Sequence, residues 1–292
     1  PTPRREYSDE HLSTMHQAHT LLLFLHDAMT QTPTDEASEE LAQYAWYTLC
    51  VAPEEEALQA ALHKARTPVF QSLPTSTFLT LVLHLLHGTR EAPPGLQGTV
   101  PQRVDMPRTA LDLLASRAIR TDRAAHVALF EELHKALVHV YETHPSLGAD
   151  ALDLLHTSIT HSVSSEHAAL TQLMPPLWAH APQPQVLHVL TAILLHVGVR
   201  ALSHLAVLVP YACEAAETGS DDDVHSAALL LLAALFKTLS QFMHGYVARV
   251  MRLLVSKDTT HVRSAARKVQ DAMVKRMPPC LLYTSDAADE ED

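Results

Sequence analysis

Apolar residues recur along this chain at intervals of three and four, the spacing of one helix face rather than of a strand. Ser8, with Asp9 and Glu10 behind it, reads as a cap and acidic first turn that opens a helix to about Thr30. Thr34 and "DEASEELAQYAWYTLC" open a second, and Pro53 with Glu54–Glu56 a third that closes on Lys64 and Arg66. "TFLTLVLHLLHG" is the fourth, ended by Gly88. Residues 88–107 then hold three of the seven glycines and Pro93, Pro94, Pro101 and Pro107, the composition of an exposed loop. Beyond it the pattern predicts first helices near 107–119, 149–162, 184–197, 222–239 and 259–276. Second helices are predicted near 122–143, 166–181, 201–217 and 243–255, with Pro175, Pro176 and Pro210 bending them or splitting their first turns.

The predicted hairpins repeat. "ALDLL" stands at 110–114 and again at 151–155, and two further steps of 41 land on Ala192 in "TAILLHVG" and Ala233 in "LLAALFKTL". Ala110, Ala151, Ala192 and Ala233 therefore mark a register, each expected to be buried where successive first helices approach closely. A period of about 40–47 residues belongs to stacked helical hairpins. The fold class expected is all-α, an α-solenoid with a period of about 41 residues. Its parts are N-terminal hairpins at 1–87, a Pro/Gly-rich loop at 88–106 and hairpins in register at 107–279. "VHSAALLLLAALFKTL" is apolar nearly all round, as a helix buried on several sides would be. Its longest apolar run, Ala227 to Phe236, is too short to span a bilayer, so no membrane is expected.

"KDTTHVRSAARKVQDAM" (257–273) places an aspartate at a turn, then Val-Arg, then small residues on an apolar stripe. It resembles the HEAT consensus, with Asp258, Val262, Arg263 and Ala266 at the matching positions. The resemblance implies that Asp258 caps the next helix and that Arg263 bonds across repeats in a polar ladder. "PRTALDLLASRAI", "ADALDLLHTSI", "LTAILLHVGVRALSHLAVLVPYACEAAE" and "HSAALLLLAALFKTLSQFMHGYVARVMRLLVS" carry a narrower resemblance, in the right order over roughly Met106 to Pro279. They are similar to the C-terminal region of the U3 small nucleolar RNA-associated protein 10 family, also called the HEAT repeat-containing protein 1 family. Residues 1–100 match only as generic helices. The resemblance implies a non-catalytic scaffold of the nucleolar small-subunit processome, supporting ribosomal RNA transcription and 18S precursor processing. Its partners would be other processome proteins. The alternative is a cargo-binding solenoid of nuclear-transport or vesicle-coat type, which would show a recurring row of partner-reading residues; none is found.

Composition excludes more than it adds. With 47% apolar residues but only 5% aromatics, the chain is poor sheet material. "PTPRREYSDE" is no secretory signal and lacks an initiator methionine, so the chain reads as a piece of something larger. Cys50, Cys213 and Cys280 are too far apart for a disulfide framework or a CxxC site, which fits a reducing compartment. "CLLYTSDAADE" (Cys280–Glu290) resembles a translated sequencing adapter, so residues 280–292 are expected to be non-native.

The 21 histidines include the pairs His84/His87 and His156/His161 but no HExxH or Cys/His framework, so no metal site is expected. The carboxylates of "DEASEE", "PEEE" and "SDDD" sit at helix starts, where capping explains them better than acid–base catalysis. No phosphate loop or nucleophile elbow occurs, and Trp46 and Trp178 do not recur at the repeat spacing. The expectation is no enzyme, no cofactor and no small-molecule substrate.

Charge adds one positive feature. The chain carries −12 overall, yet residues 249–276 hold eight basic side chains against Asp258 and Asp271, a balance of +6. A solvated helix face accounts for that plainly. The sharper reading is a contact with an acidic partner, or with precursor ribosomal RNA or U3 small nucleolar RNA, because clustered cations release counterions on binding phosphates. Arg263 and Arg267, one turn apart, with Lys268 beside them on the circumference and Lys275, are the candidates.

Overall fold

The computed structural model describes residues 35–50, 66–117, 123–219, 221–256 and 262–276. The expected helix at 8–30 and the tail 280–292 lie outside them, as does the expected helix at 53–66 except for Arg66. Among the described residues there is no strand, only an isolated bridge between Glu91 and Thr99. The protein is all-α. It divides into two compact units, up to Ala136 and from Leu137.

In the first unit α1 (Asp35–Cys50) buries Leu41, Ala42, Ala45, Trp46 and Leu49, the i, i+4, i+8 stripe its sequence shows. Residues 66–72 are helical, whereas the basic closing pair had predicted an end at Arg66. Burial of Val69 and Phe70 outweighs the stop signal, and Arg66 turns its guanidinium inward to donate to Thr48 O (2.9 Å). α2 (Thr75–Leu86) ends near Gly88, whose φ of 71° only glycine adopts without strain. α3 (Met106–Ser116) starts at Asp105, whose carboxylate accepts from Arg108 N (3.1 Å), and carries Pro107 in its first turn. α2 packs on α3. Arg117 then fastens the end of α3, lying 4.5 Å over the Phe78 ring and donating to Phe70 O (3.2 Å).

The Pro/Gly-rich connection between α2 and α3 is stitched down rather than free. Gln43 exchanges two hydrogen bonds with the Gln97 backbone (2.8 and 2.9 Å), and the Trp46 indole N–H donates to Gly98 O (3.3 Å). His84 Nε2 bonds Glu91 O (2.6 Å), and Arg90 donates to the carbonyls of Val100, Pro101 and Gln102. Gly98, at φ 111°, has no room for a side chain: a Cβ there would meet Cys50 Sγ at 2.9 Å.

α4 (Val127–Thr143) carries the division between the units, which falls inside a helix and not in the loop. The second unit continues through α5 (Gly148–Ile159), α6 (His167–Gln172), α7 (Met174–Trp178), α8 (Pro184–Val197), α9 (Leu205–Thr218), α10 (Asp222–Leu239), α11 (Val247–Ser256) and α12 (Arg263–Arg276). α8 and α10 occupy the predicted 184–197 and 222–239. The predicted 166–181 is split at Leu173, with Pro175 and Pro176 in the first turn of α7, where their missing N–H groups cost nothing. Short 3₁₀ turns precede the second helices, at Arg123–His126, Ser164–Glu166, Gly198–His204 and His244–Tyr246. In the second unit α8 packs against both α5 and α10, and α10 against both α8 and α12, while α9 packs on α10 and α11.

Length alone does not remove the membrane reading, contrary to the expectation above. Pro184–Thr218 (35 residues) and Asp222–Phe242 (21 residues) are long and apolar enough to cross a bilayer. The apolar-run criterion missed them because scattered histidines, serines and threonines interrupt the runs without lowering the average much. Within the protein this apolarity is used for packing: α10 buries Ala227, Leu231, Leu232, Leu235 and Phe236 among its neighbours. Ala110, Ala151, Ala192 and Ala233 are all buried, at 0, 0, 6 and 8% exposure.

Candidate nucleic-acid interface

α12 alternates sharply around its circumference. Val262, Ala265, Ala266, Val269 and Met273 are buried and face α10, the stripe that seats the helix. Arg263, Ser264, Arg267, Lys268, Gln270, Asp271, Val274 and Lys275 are exposed. All four candidate contact residues thus lie on the open face, and none forms an ion pair or hydrogen bond with another described residue. Of the HEAT-like positions, Val262 and Ala266 are buried and Arg263 is exposed; Asp258 lies outside the described residues.

At about 100° per residue the four cations do not form one patch. Arg263 and Arg267 make one edge, about 40° apart; Lys268 and Lys275 make another, about 20° apart. The edges are separated by about 100°, and Asp271 stands between them with Ser264 two turns before it. The sequence reading put Lys268 beside the arginines; helix geometry separates them across a carboxylate. The signal was readable, since residues 264/271 and 268/275 are seven apart. The rest of the basic stretch is partly occupied. Arg249 pairs with Glu217 (3.5 Å) across to α9, and Arg252 Nε reaches back to Ala248 O (3.5 Å). Lys257 and the side chain of Arg276 lie outside the described residues.

Other candidate chemistry resolves into structure. Among the described residues no group of three or more His, Cys, Asp or Glu side chains is placed to hold a metal. His84 is engaged by the loop, as described, and His161 Nδ1 lies 3.0 Å from Thr157 O. Trp46 packs edge-on to His84, and Trp178 lies tilted against His204 of the following predicted hairpin, so both tryptophans are taken up by packing within the protein. Burial pushes the thiols of Cys50 and Cys213 up, away from reactivity. The aspartates of "SDDD" cap α10, with Asp221 accepting from Asp223 N (3.2 Å).

One histidine pair gives a pH dependence. His156 of α5 and His188 of α8 face each other at 6.3 Å between ring centroids. Burial chiefly, and then the His188 charge, push His156 below the ordinary imidazole value, while Asp153 opposes this. The folded state therefore binds fewer protons than the unfolded chain. This contribution to stability is complete above about pH 6.5 and is lost as pH falls from there through the folded value. Thermal melts at about pH 7.5 and 5.5 should show a smaller acid shift in His188→Gln than in the parent. An equal shift in both removes the pair from the account.

The chain is similar to the U3 small nucleolar RNA-associated protein 10 of Mycosarcoma maydis, 25% identical over 276 aligned residues. The match covers 65% of this chain and 12% of that protein. No protein-family profile matches the chain.

Proposed function

We propose that this chain is a segment of a HEAT-type α-solenoid that acts as a non-catalytic scaffold of the nucleolar small-subunit processome. In that role it supports ribosomal RNA transcription and 18S precursor processing. The observation that carries the reading is the succession of α5, α8, α10 and α12, each packed on the next, in a chain similar to a U3 small nucleolar RNA-associated protein. The alanines at steps of 41 support it: each lies five to eight residues before the end of its helix, and each is buried. Helix starts keep the period only loosely, at steps of 42, 36, 38 and 41 residues, as short insertions between stacked hairpins allow.

A solenoid holds several partners at fixed separations along one surface, which requires rigid stacking and no reactive constellation. The partners on this reading are other processome proteins, with precursor ribosomal RNA or U3 small nucleolar RNA met at the basic face of α12. The test is affinity purification of the tagged protein from its own cells, followed by RNA and protein identification. U3 small nucleolar RNA and processome proteins should co-purify, depletion should accumulate unprocessed 18S precursor, and the protein should localise to the nucleolus. Purification with transport receptors or coat proteins instead, with 18S maturation intact, would refute it.

A further inference from the structure

Exposed apolar side chains are concentrated at one place. Of the seven large ones exposed among the described residues, Leu195, Val199, Leu202 and Val207 belong to the tip of a single hairpin. Leu195 ends the open stripe of α8, Val199 and Leu202 stand on the 3₁₀ turn Gly198–His204, and Val207 lies in the first turn of α9. Val199 is 58% and Leu202 37% exposed. A 3₁₀ helix turns once every three residues, so these two side chains eclipse one another in a column about 6 Å long. Arg200 and Ser203 form a second exposed column beside it, while Ala201 of the third is buried. The turn packs on α6 before it and on α10 after it. Both neighbouring hairpins are therefore in place, and the column still faces outward.

The charge around this tip is one-sided. From His167 to Cys213 the sequence has no aspartate, glutamate or lysine, in a chain that holds 33 acidic residues. Arg200 is the single permanent cation of that run, and its Nη1 lies 2.7 Å from His167 Nδ1 of α6. A guanidinium carries five N–H donors, so Arg200 is held in place with donors to spare. α10 carries Asp222 and Asp223 in its first turn and Lys237 in its last, the end that leads into the next turn.

These properties name a partner. An α-helix with apolar residues at i and i+4 repeats its stripe about every 6 Å along its axis, the spacing of Val199 and Leu202. A surface without carboxylates, bearing Arg200, selects a stripe flanked by aspartate or glutamate. A nucleic-acid backbone or an anionic bilayer asks instead for clustered cations, and one arginine is too few.

We propose that the tip between α8 and α9 docks an amphipathic helix of a partner protein. Its apolar stripe lies on Leu195, Val199 and Leu202, and a flanking carboxylate meets Arg200. The inference rests on the reading of the chain as a scaffold, whichever assembly the scaffold serves.

The test uses the full chain and fluorescence anisotropy with three labelled helical peptides of about 20 residues. The first has leucines at i, i+4, i+7 and i+11 flanked by glutamates. In the second, lysines replace the glutamates, and in the third, serines replace the leucines. The first should bind tightest, and the others about tenfold more weakly or worse. Val199→Asp/Leu202→Asp should weaken the first peptide by about tenfold or more, with circular dichroism and the urea midpoint unchanged. Val199→Ser/Leu202→Ser should weaken it without adding charge, and Arg200→Glu should invert the order of the glutamate and lysine peptides. The proposal is overturned if the two charged peptides bind the parent alike, if the double variants bind as the parent does, or if no peptide binds. It is also overturned if phosphatidylcholine/phosphatidylserine vesicles sediment the parent but not Val199→Asp/Leu202→Asp, since the tip then belongs to a membrane. Where no peptide binds but processome proteins co-purify with the parent, this inference alone falls. Where the first peptide binds as expected and they do not co-purify, the docking surface stands and the processome reading falls.

Discussion

Trp46→Ala is expected to destabilise the first compact unit by about 3–5 kcal/mol, the range for truncating a large buried aromatic. Trp46 is fully buried, its indole N–H donates to Gly98 O at 3.3 Å, and its ring meets His84 edge-on with centroids 5.4 Å apart. Truncation opens a cavity and strips the Gly98 carbonyl of its partner. The same side chain anchors the connection between α2 and α3, so the loss should spread to residues 88–105. Urea denaturation followed by circular dichroism measures the first effect, and limited proteolysis within 88–105 the second. Trp46→Phe keeps much of the volume and loses the hydrogen bond, so it should cost less. A Trp46→Ala protein within about 1 kcal/mol of the parent, with the loop as resistant as before, would show that Trp46 does not organise this unit.

Ala233→Phe should cost about 1–3 kcal/mol by overpacking. Ala233 is 8% exposed on α10, the helix packed against α8 on one side and α12 on the other. Neither neighbour can yield without disturbing its own contacts, so added volume is expressed as strain. Ala192→Phe on α8, which lies against both α5 and α10, should cost a similar amount if the two alanines hold equivalent places in successive hairpins. Ala192→Ser and Ala233→Ser, which add little volume, should stay within about 1 kcal/mol. The measurement is the urea midpoint of each variant at constant m-value. A phenylalanine accepted at either position without loss would break the equivalence on which the hairpin register rests.

The sequence by itself determined where the helices lie. Periodicity, caps and breakers act within a few residues, and α8 and α10 fall where local pattern put them, as do the proline-split segment at Leu173 and the capped start of α3. The burial of the four alanines and the exposure of Arg263, Arg267, Lys268 and Lys275 follow from the same local logic, since each helix buries its apolar stripe. Tertiary structure decided which groups meet. The 88–105 loop reads as free from its composition, but Gln43 and Trp46, 54 and 52 residues away, hold it. Arg249 counts toward the basic stretch in sequence and is matched by Glu217 in space. The division of the chain inside α4 answers to the same long-range packing. Backbone preference and amphipathic phase are properties of a short segment, whereas the partner of a carbonyl, a guanidinium or an indole exists only once distant segments have been brought together by burial.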